Sequence, residues 1–122
     1  MNKKVLIVDD STFMRMVLND IISSQLPNLT VIEANGETEA LEVLRSEAPD
    51  IVLLDIVMNS SEIEGLRVLQ AIHDQYPKII VIMVTSIGHA SIKKQCEQLG
   101  AKGYIQKPFD RDEIKTQIEK YL

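Results

Sequence analysis

Short, β-branched apolar segments alternate along the chain with longer segments whose apolar residues recur every three or four positions. This alternation is typical of an α/β protein with a parallel sheet. The predicted strands are Val5–Val8, Leu29–Glu33, Ile51–Leu54, Ile79–Val84 and Gly103–Gln106. The first, third and fourth are apolar throughout, so we expect them at the centre of the sheet with both faces covered.

A segment with helical periodicity follows each predicted strand. Pro27, Pro49 and Pro77 end the first three helices. Asn35 is the predicted N-cap of the second helix, and Gly100 closes the fourth. The residues expected on buried helix faces are Phe13, Val17, Leu18, Ile21 and Ile22 in the first helix, Ala40, Val43 and Leu44 in the second, Leu66, Leu69 and Ile72 in the third, Ile92, Cys96 and Leu99 in the fourth, and Ile114 and Ile118 in the fifth, which runs from about Asp110 to Leu122. Together these elements predict an α/β fold, a (βα)5 doubly wound parallel sheet of five strands with helices on both faces.

Length and composition fit one domain, which we expect to span residues 1–122 and to lie in the cytoplasm. With 45% apolar residues, a chain of 122 residues can bury a core without disulfides. Cys96 is its one cysteine, which fits a reducing compartment. The longest apolar run, Ile79–Val84, is far shorter than the roughly 18 residues of a membrane helix, and the first residues do not have the pattern of a signal peptide.

The charge pattern argues against nucleic acid as a direct partner. Lys and Arg together number 13, Asp and Glu together number 18, and the formal net charge is −5. The basic residues are scattered, whereas a nucleic-acid binder of this size is expected to carry a basic patch with aromatic residues.

Polar residues follow the predicted strands at the edge where an open parallel sheet binds its ligands. They are Asp9 and Asp10 after the first strand, Asp55 after the third, Thr85 after the fourth and Lys107 after the fifth. If the first and third strands are neighbours, three carboxylates converge, and either protonation or a bound cation must relieve their repulsion. A cation is the simpler solution, and an oxygen-only site of this kind suits Mg²⁺ and also admits Mn²⁺.

The same edge offers the groups that phosphoryl transfer requires. An Asp carboxylate can attack phosphorus and form an acyl phosphate. Asp55 stands alone after the middle strand and is the better nucleophile, whereas the adjacent Asp9 and Asp10 are suited to orient a metal. Lys107 and the Thr85 hydroxyl could share the negative charge of the transferring group.

Four motifs occur in order along the whole chain. They are Val5–Ser11 together with Phe13–Arg15, Asp50–Asp55, Val84–Ser86, and Gly100–Ala101 leading to Tyr104–Phe109. Together they resemble response-regulator receiver domains, and most closely the single-domain chemotaxis regulators of that family. The resemblance implies the flavodoxin-like strand order 2-1-3-4-5.

The resemblance also implies a role for each polar residue at this edge. The implied roles are phosphoacceptor for Asp55, metal ligands for Asp9, Asp10 and Asp55 with the main-chain carbonyl of Val57, catalytic groups for Thr85 and Lys107, switch residues for Thr85 and Tyr104, and a cis-proline for Pro108. The implied cofactor is Mg²⁺, with Mn²⁺ as a substitute.

The implied function is phosphorelay signalling. A sensor histidine kinase donates a phosphoryl group to Asp55, and the face formed by the fourth helix, fifth strand and fifth helix then changes its affinity for a downstream protein. The resemblance implies no enzyme activity beyond the domain's own phosphoryl transfer and autodephosphorylation, and the apolar side chains of Val57 and Ile87, which flank the expected path of an attacking water, predict that this autodephosphorylation is slow. Because the sequence ends at Leu122 without a linker, we expect the output to act in trans, and Phe13–Arg15 favours chemotaxis as the pathway.

Two features depart from the family pattern. The family usually has a Met-Pro pair three and four residues after the phosphoacceptor, whereas here Asn59 follows Met58. The loop from Asn59 to Gly65 is also longer than usual. We expect these departures to change the shape of the loop and to leave the site residues in place.

Two other functions match parts of the pattern. A metal-dependent aspartyl phosphohydrolase of small phosphate esters would also use an Asp nucleophile, but the haloacid-dehalogenase group has one residue between its two aspartates, and Asp9 and Asp10 are adjacent. A flavodoxin-like cofactor carrier would need a phosphate-binding loop where this chain has two carboxylates. Taken singly, Asp10 or Ser11 could cap the first helix, and Thr85–Ser86 could cap the fourth. Asp55 could be a turn residue, and Tyr104 could fill the groove beside the fourth helix.

Overall fold

The computed structural model describes residues 2–61 and 63–122, and strands alternate with helices throughout those ranges. The strands are β1 (Lys4–Val8), β2 (Thr30–Ala34), β3 (Ile51–Leu54), β4 (Ile80–Thr85) and β5 (Gly103–Gln106), and the helices are α1 (Thr12–Gln25), α2 (Glu37–Glu47), α3 (Glu64–Gln75), α4 (Ala90–Gln98) and α5 (Arg111–Glu119). Within these ranges, none of the helices combines the length and the apolar character needed to cross a bilayer.

The five strands form one parallel sheet in the order β2-β1-β3-β4-β5, which confirms the predicted fold class and strand order. In its register Val8 lies opposite Leu54, and Leu54 lies opposite Met83. The carboxyl ends of β1, β3 and β4 are therefore level at one edge. The chain leaves β1 toward β2 on one side and returns to β3 on the other, so this edge is a topological switch point.

Alternate residues of the central strands face two separate cores. On one face, Leu6 and Leu54 pack with α2, α3 and α4, and on the other, Ile7 and Leu53 pack with α1 and α5. The central strands are buried on both faces as predicted, and Cys96 of α4 is fully buried. Because both faces are packed, each strand is fixed along its own axis relative to its neighbours, and so are the loops that leave the carboxyl edge of the sheet.

The first and last helices differ from the prediction. Phe13 is 71% exposed, so its predicted place on the buried face of α1 is wrong. It lies roughly 140° around the helix from Leu18 and roughly 180° from Ile22, because an α-helix turns by about 100° per residue. The fifth helix ends at Glu119, short of the predicted Leu122.

The N-terminus of α2 also differs, because Gly36 and not Asn35 occupies the N-cap position. The main-chain N–H of Glu37 donates a 2.7 Å hydrogen bond to Oε1 of Glu64, from the start of α3. A Cβ atom on Gly36 would lie 2.8 Å from that same oxygen. The capping group thus comes from a distant helix, and the absence of a side chain at position 36 makes room for it.

Ala48, the C-cap of α2, lies in the left-handed region at φ 47° and ψ 62°. This conformation costs an L-residue roughly 1–2 kcal/mol, whereas glycine adopts it freely. We expect Ala48→Gly to raise the free energy of unfolding by about 0.5–1 kcal/mol after the larger chain entropy of unfolded glycine is subtracted. The exposed mid-helix control Glu42→Gly should lower it by about 0.5–1 kcal/mol. Urea titration of both variants measures the two shifts, and a loss of stability in Ala48→Gly would contradict this account.

Candidate functional site

Three carboxylates meet at the carboxyl edge of the sheet. One oxygen each of Asp9, Asp10 and Asp55 lies within 4.8 Å of the other two. Asp9 is 2% exposed and Asp55 is 7% exposed, whereas Asp10 is open to solvent. The pairing of β1 with β3 brings them together, and it continues past the strands because the N–H of Asp55 donates to the carbonyl of Val8 at 3.0 Å.

Lys107 supplies positive charge to this cluster from the far side of β4. Its Nζ lies 2.8 Å from Oδ2 of Asp9 and 3.1 Å from Oδ2 of Asp55. Burial opposes the charge of the ammonium group, but the hydrogen bond to Asp9 and the field of both carboxylates outweigh it, so the pKa of Lys107 lies above its ordinary value. The lysine therefore stays charged at neutral pH and offsets part of the repulsion between the carboxylates.

The pKa of Asp55 lies above its ordinary value of 3.8 because burial disfavours its charged form. Lys107 lowers the pKa, Asp9 raises it, and the Thr85 hydroxyl lowers it slightly. One Asp55 oxygen accepts a 2.7 Å hydrogen bond from the N–H of Ile56, and the other contacts Lys107. A carboxylate that costs energy to ionise and is held by two donors is a good candidate for a nucleophile.

A second set of contacts fixes the backbone at Asp9. Oδ1 of Asp9 accepts a 2.9 Å hydrogen bond from the N–H of Ser11, and the Asp9 carbonyl accepts a 2.7 Å bond from Arg15. Arg15 also pairs with Glu33 of β2 at 3.0 Å. In the sequence, Arg15 stands out only as part of a motif. The feature that could have indicated its contact is the position of a basic residue one turn into the helix that follows two aspartates.

Thr85 and Tyr104 are linked through the loop between β4 and α4. The N–H of Ile87 donates to Oγ1 of Thr85 at 3.4 Å, and the Tyr104 hydroxyl donates to the carbonyl of Ile87 at 2.6 Å. Thr85 is fully buried and Tyr104 is half-buried, with Nζ of Lys93 5.9 Å from the centre of its ring. Tyr104 packs in the groove beside α4, so both the packing role and a link to Thr85 fit its position.

The remaining predicted residues lie at the same edge. Val57 is half-buried in the loop two residues after Asp55. The Lys107–Pro108 peptide bond is cis, and the N–H of Lys107 donates to the carbonyl of Thr85 at 2.8 Å. Ser11 caps α1 by accepting a hydrogen bond from the N–H of Met14.

The loop after β3 makes close contacts of its own with the site. A Cβ atom on Gly65 would collide with the carbonyl oxygen of Asp55, so only glycine allows α3 to begin this close to β3. Near Met58, the N–H of Asn59 donates to Oδ2 of Asp10 at 2.8 Å. Sequence reasoning recognised an unusual loop here but not this hydrogen bond, which depends on the backbone path.

A family model described as "Response regulator receiver domain" matches residues 5–119. The chain belongs to the response regulator receiver family. It is a receiver domain of a two-component phosphorelay, a signalling phosphoacceptor domain and not a classical enzyme. Receiver domains bind Mg²⁺ at an acidic pocket, are phosphorylated by histidine kinases and act on downstream partners.

Relatives of this receiver domain match it over its whole length. Sporulation initiation phosphotransferase F of Bacillus subtilis is 34% identical, over 100% of this chain and 95% of its own. Chemotaxis protein CheY of the same organism is 35% identical, over 100% of this chain and 99% of its own. The phosphohydrolase and flavodoxin-like alternatives are not favoured by these matches.

Solved structures agree with the fold of the receiver domain. The response regulator domain of Thermotoga maritima CheB superposes with a TM-score of 0.82 at 35% identity, and covers 99% of this chain and 94% of its own. A CheY-like receiver domain protein from Methanospirillum hungatei JF-1 superposes with a TM-score of 0.89 at 27% identity, covering 98% and 93%.

Replacing Asp55 by Asn removes a group whose ionisation opposes folding. Because its pKa in the folded chain is raised, the folded state binds more protons than the unfolded state, and the cost of Asp55 grows as pH rises through that pKa. Without divalent cations, we expect Asp55→Asn to raise the free energy of unfolding at pH 7 by on the order of 1 kcal/mol, and by less at pH 4. Urea titrations at both pH values measure this gain, with Asp74→Asn on α3 as the matched surface control. A gain at pH 4 as large as at pH 7 would contradict the assignment.

Proposed function

We propose that this receiver domain accepts a phosphoryl group from a sensor histidine kinase on Asp55. The observation that carries the proposal is the position of its carboxylate, buried at the end of β3 between Lys107 and the acidic pair Asp9 and Asp10. In the transfer, an oxygen of Asp55 attacks phosphorus, the O–P bond forms, the P–N bond to the kinase histidine breaks, and its electron pair stays on the imidazole nitrogen.

Each neighbouring group has a function in this transfer. The N–H of Ile56 donates a hydrogen bond to one oxygen of Asp55 and so orients the carboxylate. The ammonium group of Lys107 would bind the phosphoryl oxygens and stabilise their negative charge during the transfer. Thr85, buried at the end of β4, offers a hydroxyl donor. The residues after the strands would thus provide the phosphoryl group with donors from several elements.

We propose that Asp9, Asp10 and Asp55, with the carbonyl of Val57, hold Mg²⁺, for which Mn²⁺ can substitute. The donor set fits the ion, because it is composed of hard oxygens and Lys107 contacts only two of the three carboxylates, Asp9 and Asp55. When bound, the cation would neutralise charge between the carboxylates and the phosphoryl oxygens.

The link from Thr85 to Tyr104 supports a switch in this receiver domain. Movement of Thr85 toward a phosphoryl group on Asp55 would pull on the Ile87 loop, and the carbonyl of Ile87 holds the Tyr104 hydroxyl. Tyr104 lies on β5, so its displacement changes the face formed by α4, β5 and α5. We propose that a downstream protein reads this face in trans.

The setting of this function is also a proposal. We propose that residues 1–122 form one receiver domain in the cytoplasm, with no direct contact with nucleic acid or membrane. Full-length similarity to chemotaxis protein CheY of Bacillus subtilis supports action in trans and favours chemotaxis as the pathway.

Phosphorylation is tested with acetyl phosphate, which replaces the kinase as donor. With Mg²⁺ present, we expect the intact mass to increase by one phosphoryl group, and EDTA or Asp55→Asn to abolish the increase. Asp74→Asn should behave as the parent chain. An adduct that persists in Asp55→Asn would refute Asp55 as the acceptor, and many rapid turnovers to inorganic phosphate would favour a phosphohydrolase.

The phosphorylated domain should lose its phosphoryl group slowly. Val57 and Ile87 flank the expected path of an attacking water, and both are apolar, so neither can orient it by hydrogen bonding. We expect Val57→Asn and Ile87→Glu to speed the decay by severalfold up to about 100-fold, which is at or below the lower end of the roughly 100- to 10,000-fold that a well-placed general acid or base supplies. Val57→Ala is the control for size without polarity. Decay followed by intact mass after removal of the donor gives the rates, and unchanged rates in both polar variants would contradict this explanation.

A further inference from the structure

The loop after β3 contains a tight turn that is well suited to hold a neighbouring group in place. Met58 and Ser61 exchange two main-chain hydrogen bonds, at 3.1 and 2.9 Å. Between them, Asn59 and Ser60 have φ values of 52° and 62°, in the left-handed region. Two such residues in succession are typical of the tightest two-residue turns, and asparagine is among the residues that adopt this conformation at low cost.

This turn directs a main-chain donor at the acidic cluster. The N–H of Asn59 lies 2.8 Å from Oδ2 of Asp10. Proline, the residue usual in the family at this position, has no N–H and could not make this hydrogen bond. Asp10 differs from its two neighbours because it is exposed, and the contacts of Lys107 in the described part of the chain go to Asp9 and Asp55 instead.

Contacts on both sides keep the turn in position. Met58, at its base, is fully buried in the core shared by α2 and α3. The Asn59 side-chain amide donates to both carboxylate oxygens of Glu64, at 3.2 and 3.3 Å, and Glu64 also caps α2 through the N–H of Glu37. The donor that faces Asp10 is therefore tied to three elements of the fold.

Electrostatics gives this hydrogen bond a function at the metal site. In the absence of a cation, repulsion from Asp9 and Asp55 favours rotation of the exposed Asp10 carboxylate away from them, into water. A hydrogen bond from an N–H to a charged carboxylate opposes this rotation, and it occupies one oxygen while the other stays available to a cation. A ligand that is already fixed loses less conformational freedom when the ion binds.

We propose that Asn59 is a positioning residue of the metal site, whose main-chain N–H holds the Asp10 carboxylate among the other ligands and so raises the affinity for Mg²⁺. The proposal rests on the proposed function, in which these carboxylates are the ligands of the ion.

A pair of variants separates the N–H from the side chain. Asn59→Gly keeps the N–H and the left-handed backbone but removes the contact with Glu64, whereas Asn59→Pro removes the N–H and cannot adopt φ 52°. By isothermal titration calorimetry with MgCl₂, we expect Asn59→Pro to bind Mg²⁺ about threefold to tenfold more weakly than the parent. This is the loss of affinity expected when one additional side chain must be immobilised on binding. Asn59→Gly should stay within about twofold of the parent.

A double-mutant cycle tests whether the effect acts through Asp10. In an Asp10→Asn background, Asn59→Pro should no longer change the Mg²⁺ affinity, because the carboxylate that it positions is absent. Equal weakening in both backgrounds would show a general disturbance of the loop and would overturn the proposal. Equal weakening by Asn59→Gly and Asn59→Pro would overturn it as well, as would no weakening by Asn59→Pro.

A measurement on the parent chain keeps the proposal testable if Asn59→Pro does not fold. Hydrogen exchange followed by NMR should show a protected Asn59 amide in metal-free protein and loss of that protection in Asp10→Ala, whose side chain has no acceptor. A freely exchanging Asn59 amide in the parent would overturn the proposal. Absence of Mg²⁺ binding by the parent would instead refute the proposed metal site, whereas normal binding without an effect of Asn59→Pro would refute only the role of Asn59.

Discussion

The receiver site depends on holding like charges together at the end of a parallel sheet. Asp9 and Asp55 are almost fully buried and share a single lysine, although each would be better hydrated apart. Their proximity follows from the direct pairing of β1 with β3, and Lys107 reaches them because β5 lies just beyond β4. The stability of the sheet therefore offsets the cost of burying these charged groups close together, in an arrangement that is reactive.

The rest of the fold makes that arrangement rigid. Two separate cores hold the central strands at fixed heights, so the residues that follow them have little freedom to move apart. Around this framework, Arg15 fixes the backbone of Asp9, Ile56 orients Asp55, and Asn59 contacts Asp10. Thr85 and Tyr104 are connected differently, through hydrogen bonds to Ile87 in the more exposed loop after β4.

The parts of the structure that depend on local pattern could be predicted from the sequence. Apolar runs located the central strands, and the polar residues directly after them identified the groups that meet at the site. Contacts between distant segments could not be predicted in this way. Glu64 caps α2 in place of Asn35, and the donor to Asp10 is a main-chain N–H whose direction depends on two positive φ values. Phe13 is apolar but lies on the side of α1 opposite Ile22, so its apolar character alone did not indicate its exposure.

The groups of the site come from positions 9, 10, 55, 85 and 107, so they are brought together only when nearly the whole sheet has formed. No local fragment contains both the acidic pair and the lysine. A partly folded copy would therefore lack the assembled site, and a destabilised chain would contain fewer molecules in which the site is complete. In this architecture the fraction of molecules that can respond depends directly on the fraction that is fully folded.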